Sequence, residues 1–137
     1  MRDRSVLSNR VANQEVHAQY GGIVPELASR AHAAHLVPTV EAALRDAGIE
    51  AQDLDAVAYT QGPGLLGSLL VGSSFAKAWA WARGLPTVPV HHMHAHVLAH
   101  FLEPGSAPRL PFLCLTVSGG HTQLVVVRSA NDLEVIG

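Results

Sequence analysis

Ala56-Val57-Ala58-Tyr59-Thr60-Gln61-Gly62-Pro63-Gly64-Leu65-Leu66-Gly67-Ser68 sets the architecture of the chain. The run Ala56 to Tyr59 is continuously apolar, as a buried strand of a parallel sheet is. The loop Thr60 to Gly64 follows, and then a long run of small and apolar residues that ends at Arg83-Gly84. That pattern predicts a helix from about Leu66 to Arg83, stopped by Gly84, and a further strand over Thr87 to Val90. Strand, crossover helix and strand in this order make a βαβ unit. No charge occurs between Ala56 and Ala76, so a membrane span has to be weighed. A spanning helix needs about 20 unbroken apolar residues, and Gln61-Gly62-Pro63-Gly64 breaks this run. Buried strand, loop and helix is the better reading.

Outward from this unit the same alternation continues. Ser5 to Glu15 reads as a strand, from loose alternation around Val6, Ser8, Arg10 and Val11. Tyr20-Gly21-Gly22 reads as a turn, and a helix begins near Pro25, whose missing N–H is harmless at a helix start. Leu36, Val40, Ala43, Leu44 and Ala47 keep helical spacing up to Gly48, with a kink expected at Pro38. After the third strand comes a His-rich helix, about Met93 to Leu102, then a turn-rich connection, Glu103 to Pro108. The chain closes with a hairpin, Phe112 to Ser118 and His121 to Arg128 around Gly119-Gly120, and a short strand, Leu133 to Ile136. The class is α/β, a parallel sheet followed by the opening of a second, antiparallel one.

Composition narrows the function. The chain has 137 residues, 48% hydrophobic and 15% charged, with a net charge of −2. That is room for one ordinary domain and too little for a two-lobed enzyme that closes on a nucleotide. The low charge excludes a disordered tail, and the absence of a basic excess excludes an autonomous nucleic-acid-binding domain. A single cysteine, Cys114, fits a reducing compartment. Met1-Arg2-Asp3-Arg4-Ser5 does not lead into an apolar segment of the secretory kind. A cytoplasmic location is the expectation.

Three groups of residues could carry chemistry. In His91-His92-Met93-His94-Ala95-His96, with His100 beyond, His92, His96 and His100 fall at i, i+4 and i+8 on one helix face. An i, i+4 pair brings two imidazole nitrogens to one metal ion, and it follows a strand end, where α/β ligand sites form. The plain alternative is a set of capping or surface histidines. A third ligand is needed: His100 is the local candidate, a residue from a missing segment the other. A zinc-protease reading fails because Met93, not Glu, follows His92.

The second group is the loop Gly62-Pro63-Gly64 at a helix N-terminus, where free N–H groups can meet an anion. It is not a P-loop, since no Gly-Lys-Ser/Thr follows, and turn chemistry alone would explain it equally well. The third is Val117-Ser118-Gly119-Gly120-His121-Thr122, a bend whose N–H groups can wrap phosphate or acyl oxygens but which by itself reads as a hairpin turn. Phe75, Trp79, Trp81 and Cys114 read as core, and Arg30 and His32 as a solvated face more readily than as ligand contacts.

Four segments together resemble one family. They are Tyr20-Gly21-Gly22-Ile23-Val24-Pro25-Glu26-Leu27-Ala28-Ser29-Arg30-Ala31-His32; Ala58-Tyr59-Thr60-Gln61-Gly62-Pro63-Gly64-Leu65; Val90-His91-His92-Met93-His94-Ala95-His96; and Val117-Ser118-Gly119-Gly120-His121-Thr122-Gln123-Leu124. In order and spacing they resemble TsaD, the tRNA N6-adenosine threonylcarbamoyltransferases. The resemblance implies an actin/Hsp70/sugar-kinase-like fold. It implies transfer of a threonylcarbamoyl group from threonylcarbamoyl-AMP to N6 of adenosine 37, in tRNAs that read codons beginning with A. It implies one Fe(2+) or Zn(2+) per subunit held by His92 and His96, with substrate bound along Thr116, Val117, Ser118, Gly119 and Gly120. It also implies tRNA, a TsaB-like paralogue and a TsaE-like ATPase as partners, and no membrane.

The chain departs from the family pattern in three places. His94-Ala95 stands where Glu-Gly is usual. The family's first strands, with a Glu-Thr-Ser-Cys-Asp-Glu-Thr motif, have no counterpart, and neither has the second lobe that carries an aspartate ligand. Residues 1–110 are then expected to form a first lobe lacking its first strands, and 111–137 the start of the second. Such a chain holds a two-ligand half-site and is expected to be inactive alone. Two rivals share the module. A carbamoyltransferase of the hydrogenase-maturation or antibiotic-tailoring type would carry an appended acylphosphatase-like or zinc-finger region. A non-catalytic TsaB-like scaffold would lack the pair His92 and His96.

Overall fold

The computed structural model describes residues 5–13, 21–102, 105, 107–118 and 120–137. Helix α1 (Pro25–Ala47) starts on Pro25, with Glu26 in its first turn, where a carboxylate favours the dipole. It ends at Gly48, whose φ of 65° is left-handed. There the N–H of Ile49 reaches the carbonyl of Leu44 at 3.2 Å, and that of Gly48 reaches Arg45 at 3.1 Å. This is a Schellman closure. The helix continues through Pro38 to Ala47, so the proline does not end it. Strand β1 (Val57–Gly62) pairs in parallel with β2 (Thr87–His91), and α2 (Leu66–Arg83) connects them. Helix α2 closes like α1: Gly84 has φ 66°, and Leu85 N–H donates to Ala80 at 2.9 Å.

Helix α3 (His92–Leu98) follows β2 with no intervening loop. Strands β3 (Phe112–Val117), β4 (Thr122–Ser129) and β5 (Asp132–Val135) form a separate antiparallel sheet in the order β3-β4-β5. Helix α2 lies on β1, α1 lies on α2, and α3 packs against β1, β2 and β3. Small residues permit the α1–α2 approach. A Cβ on Gly67 would stand 3.1 Å from the Ser29 side chain. The core of the second sheet is Val97 from α3 with Cys114, Val125 and Val127, flanked by Phe101, Phe112 and Leu133. Cys114 is buried and free, as its apolar strand implies.

Several expectations need correction. Between Ser5 and Asn13 only a single bridge at Ser5 forms, not a strand; Gln14 and Glu15 lie outside the described residues. The segment instead leans on α1, with the Ser8 hydroxyl donating to Ala43 O at 2.8 Å and Arg10 paired to Asp46. Strand β1 runs on through Thr60 and Gln61 to Gly62, because pairing with Val90 and His91 extends it past the apolar run. It is half-buried in alternation rather than buried on both faces, since one face has no layer on it among the described residues. The His-rich helix stops at Leu98, and Ala99–Phe101 tightens into a 3₁₀ turn. Trp81 is 86% exposed; Phe75 and Trp79 are half-buried and in ring contact at 5.6 Å. Trp81 lies two residues beyond Trp79 and therefore on the other side of α2. The outward face of β3 is also open, with Leu113, Leu115 and Val117 at 57, 63 and 69% exposure.

Gly84→Ala forces a side chain into the left-handed region and should lower stability by about 1 kcal/mol, read from the urea midpoint. Val97 is 1% exposed and ties α3 to the second sheet. Val97→Ala should cost roughly 2 kcal/mol by the same measurement.

Candidate functional site

The site is built where β1 and β2 end. Strand β2 passes directly into α3, so His92 opens the helix at the sheet's C-terminal edge and His96 sits one turn on. Met93 and Val97, 3 and 1% exposed and each one residue on from a histidine, fix the adjoining face of α3 in packing. The two Nε2 atoms of His92 and His96 are 3.1 Å apart, with ring centroids at 4.7 Å and planes at 88°. Nitrogens sharing a metal at a bond length of about 2.0–2.1 Å stand about 3 Å apart. The spacing of this pair matches that of two nitrogens on one iron or zinc ion, and in the metal-free chain it is also that of a hydrogen bond between the two rings.

Burial, and then the positive charges that His96, His121 and His91 would carry, hold the His92 imidazole below its ordinary pKa. It is therefore neutral at neutral pH, as a metal ligand must be. Among the described residues no third histidine, cysteine or carboxylate joins the pair. His100, the local candidate, is carried off by the 3₁₀ turn, and its ring stands edge-on to Phe112 at 6.3 Å. The i+8 alignment required a longer helix than the chain makes.

Beside the pair lies a cavity of about 650 Å³ between α1, α2 and β1. Its walls are largely apolar, with Leu36, Val40 and Phe75 among them. Four successive residues of β1, Val57 to Thr60, line it, so it runs along the edge of that strand. Pro63 and Gly64 reach it from the glycine loop, and His92 reaches it from α3. Gly62 ends β1 and is joined to Pro63 by a cis peptide.

The hairpin is placed differently from the loop. Thr116 is buried under α3, with Oγ1 4.0 Å from Cys114 Sγ, while Val117 points to the open face. Ser118 is occupied with the turn: its N–H and its hydroxyl donate to His121 O at 2.8 and 3.2 Å, and His121 N–H donates back to Ser118 Oγ at 3.2 Å. Gly119 lies outside the described residues, and Gly120 is exposed. The hairpin residue that lines the cavity is His121, and His32 joins it from α1. Neither was singled out from sequence as a site residue. His121 stood inside a quoted motif, and His32 read as part of a solvated face. Arg30 is solvated, paired with Glu26 at 2.7 Å.

A parallel strand pair joined by a crossover helix, with a second antiparallel sheet beside it, has known counterparts. The chain superimposes on YeaZ from Pseudomonas aeruginosa with a TM-score of 0.55, at 20% identity, covering 77% of this chain and 51% of that one. The fold is of the actin/Hsp70/sugar-kinase class. The family model of TsaD, tRNA N6-adenosine threonylcarbamoyltransferase, matches residues 5–137, and the chain belongs to that family. It is 57% identical over 141 residues to a relative of that name from Porphyromonas gingivalis, covering 100% of this chain and 41% of the relative. It is also 57% identical over 137 residues to one from Cytophaga hutchinsonii, covering 100% of this chain and 40% of that one. The chain thus spans about two fifths of the curated relatives it matches. Among the described residues no helix is long and apolar enough to cross a membrane.

The lowered pKa of His92 has a consequence for stability. Above about pH 6.5 folded and unfolded chains both hold it neutral. As pH falls, the unfolded chain takes up the proton first, so this contribution to stability is lost between pH 6.5 and the depressed folded value. For the metal-free chain, His92→Gln should flatten the fall of the urea midpoint between pH 7.5 and 5.5.

Proposed function

We propose that the protein acts in the tRNA modification for which its relatives are named. The reaction is transfer of a threonylcarbamoyl group from threonylcarbamoyl-AMP to N6 of adenosine 37, in tRNAs reading codons that begin with A. The adenosine N6 forms the new bond to the carbamoyl carbon, the bond from that carbon to the AMP oxygen breaks, AMP leaves, and N6 gives up a proton. One observation carries the reading: His92 and His96 present two nitrogens 3.1 Å apart beside a cavity reached by the Gly62–Gly64 loop.

His92 and His96 would hold the iron or zinc, which when bound supplies Lewis-acid polarisation of a carbonyl or phosphate oxygen and positions the substrate. The chain's own residues supply the setting. Met93 and Val97 hold the imidazoles in place. Pro63 and Gly64 leave the backbone open to a ligand at the cavity wall. The Ser118–His121 turn carries His121 into the cavity, beside the stretch Thr116 to Gly120 that the family resemblance assigns to substrate. The tRNA, a TsaB-like paralogue and a TsaE-like ATPase are the partners this reading implies, and a cytoplasmic location goes with it.

The 137-residue chain by itself is read as inactive. Two donors make half of a metal site, the outward face of β3 is apolar and open, and the matched relatives are well over twice as long. Two experiments test this. Replacing the matching segment of the Porphyromonas gingivalis relative with residues 1–137 should give a chimera that modifies tRNA. His92→Ala/His96→Ala in that chimera should lower the rate at least 100-fold and remove the bound metal by elemental analysis. Unchanged metal content would sink the ligand assignment. The isolated chain, supplied with threonylcarbamoyl-AMP, tRNA and partners, should give no modified nucleoside by mass spectrometry, and a clear signal would overturn its inactivity.

A further inference from the structure

The histidine segment contains a second pair that the reading above does not use. His91 ends β2 and caps α3, with φ −75° and ψ 121°, and His94 lies in the first turn of the helix. Side chains at a helix cap and three residues on meet across the first turn, the geometry that brings the two partners of a capping box together. Here both are imidazoles. Their ring centroids are 4.4 Å apart and their planes 38° apart. No side-chain capping bond engages His91, and both residues are exposed.

We propose that His91 and His94 form a second two-imidazole site, for a borderline divalent cation such as zinc, nickel or copper(II). Two imidazoles on one ion, each bonded at about 2.0–2.1 Å with a cis angle, have ring centroids about 4–5 Å apart. The observed separation meets that requirement with only ring rotation left to make. Imidazole is the ligand these metals share, and none of them needs a carboxylate to bind. The site is separate from the first. At 3.6 residues per turn the His91–His94 pair and the His92–His96 pair point roughly 150° apart around the α3 axis. One ion cannot serve both. Water completes the coordination of an exposed pair, so this site exchanges its ion readily, and the positive end of α3 further weakens its hold.

The test is calorimetric titration of the metal-free 137-residue chain with Ni2+ alone, circular dichroism confirming the fold of each variant. The wild-type chain should bind two ions. His91→Ala/His94→Ala and the gentler His91→Gln/His94→Gln should each bind one. His92→Ala/His96→Ala should keep an ion whose affinity falls at least tenfold when His91 and His94 are then replaced as well. The proposal is overturned if both folded His91/His94 variants bind as many ions as the wild-type chain, or if replacing His91 and His94 in His92→Ala/His96→Ala leaves its affinity unchanged. Failure of the His92–His96 assignment shows separately, as an unchanged stoichiometry in His92→Ala/His96→Ala alone.

Discussion

Helix α3 is seven residues long, and its seating between two sheets decides where everything else in the site can be. Met93 and Val97 are its buried face, four residues apart. Val97 closes onto Cys114, Val125 and Val127 of the antiparallel sheet, while the helix start is fixed by the end of β2. With both ends held, the helix cannot turn about its axis, and the adjoining face is fixed with it. His92 and His96 are thereby set side by side, and among the described residues no hydrogen bond to another group orients them. Burial of two apolar side chains, rather than hydrogen bonding, thus sets the positions of the two rings.

The surroundings follow the same logic. Small residues along α1 and α2, Gly67 against Ser29 among them, bring these helices together. The cavity lies between the two helices and the edge of β1. Its apolar walls surround the few polar groups that enter it, His32, His92, His121, Tyr59, Thr60 and Ser68. An apolar enclosure with a handful of convergent polar side chains is the usual setting for a small ligand. The same enclosure disfavours the charged form of His92 and keeps it available as a donor.

Membership of the TsaD family and the open surfaces of this chain bear on each other. The relatives that match it completely are well over twice its length. On this chain an apolar face of β3 meets solvent, and the histidine pair has no third ligand among the described residues. An exposed apolar face of this size is of the kind that marks contact surfaces in many proteins.

Much of this was legible in the residues. Pro25, Gly48 and Gly84 mark helix ends through the backbone angles they permit, and α2 falls over Leu66–Arg83 as its pattern predicts. The i, i+4 spacing of His92 and His96 is a property of any α-helix, so their meeting could be read before the fold was known. What local pattern could not reach was decided by contacts between distant segments. Pairing with β2 lengthened β1, and packing on α1 kept Ser8 and Arg10 out of a strand. A 3₁₀ turn next to the second sheet took His100 away from the pair. His121 and His32 became neighbours of His92 only because a hairpin and a helix remote in sequence line one cavity. Periodicity is a consequence of backbone geometry and is written along the chain. Convergence depends on which surfaces exclude water together, and that is set by packing between segments remote in the chain.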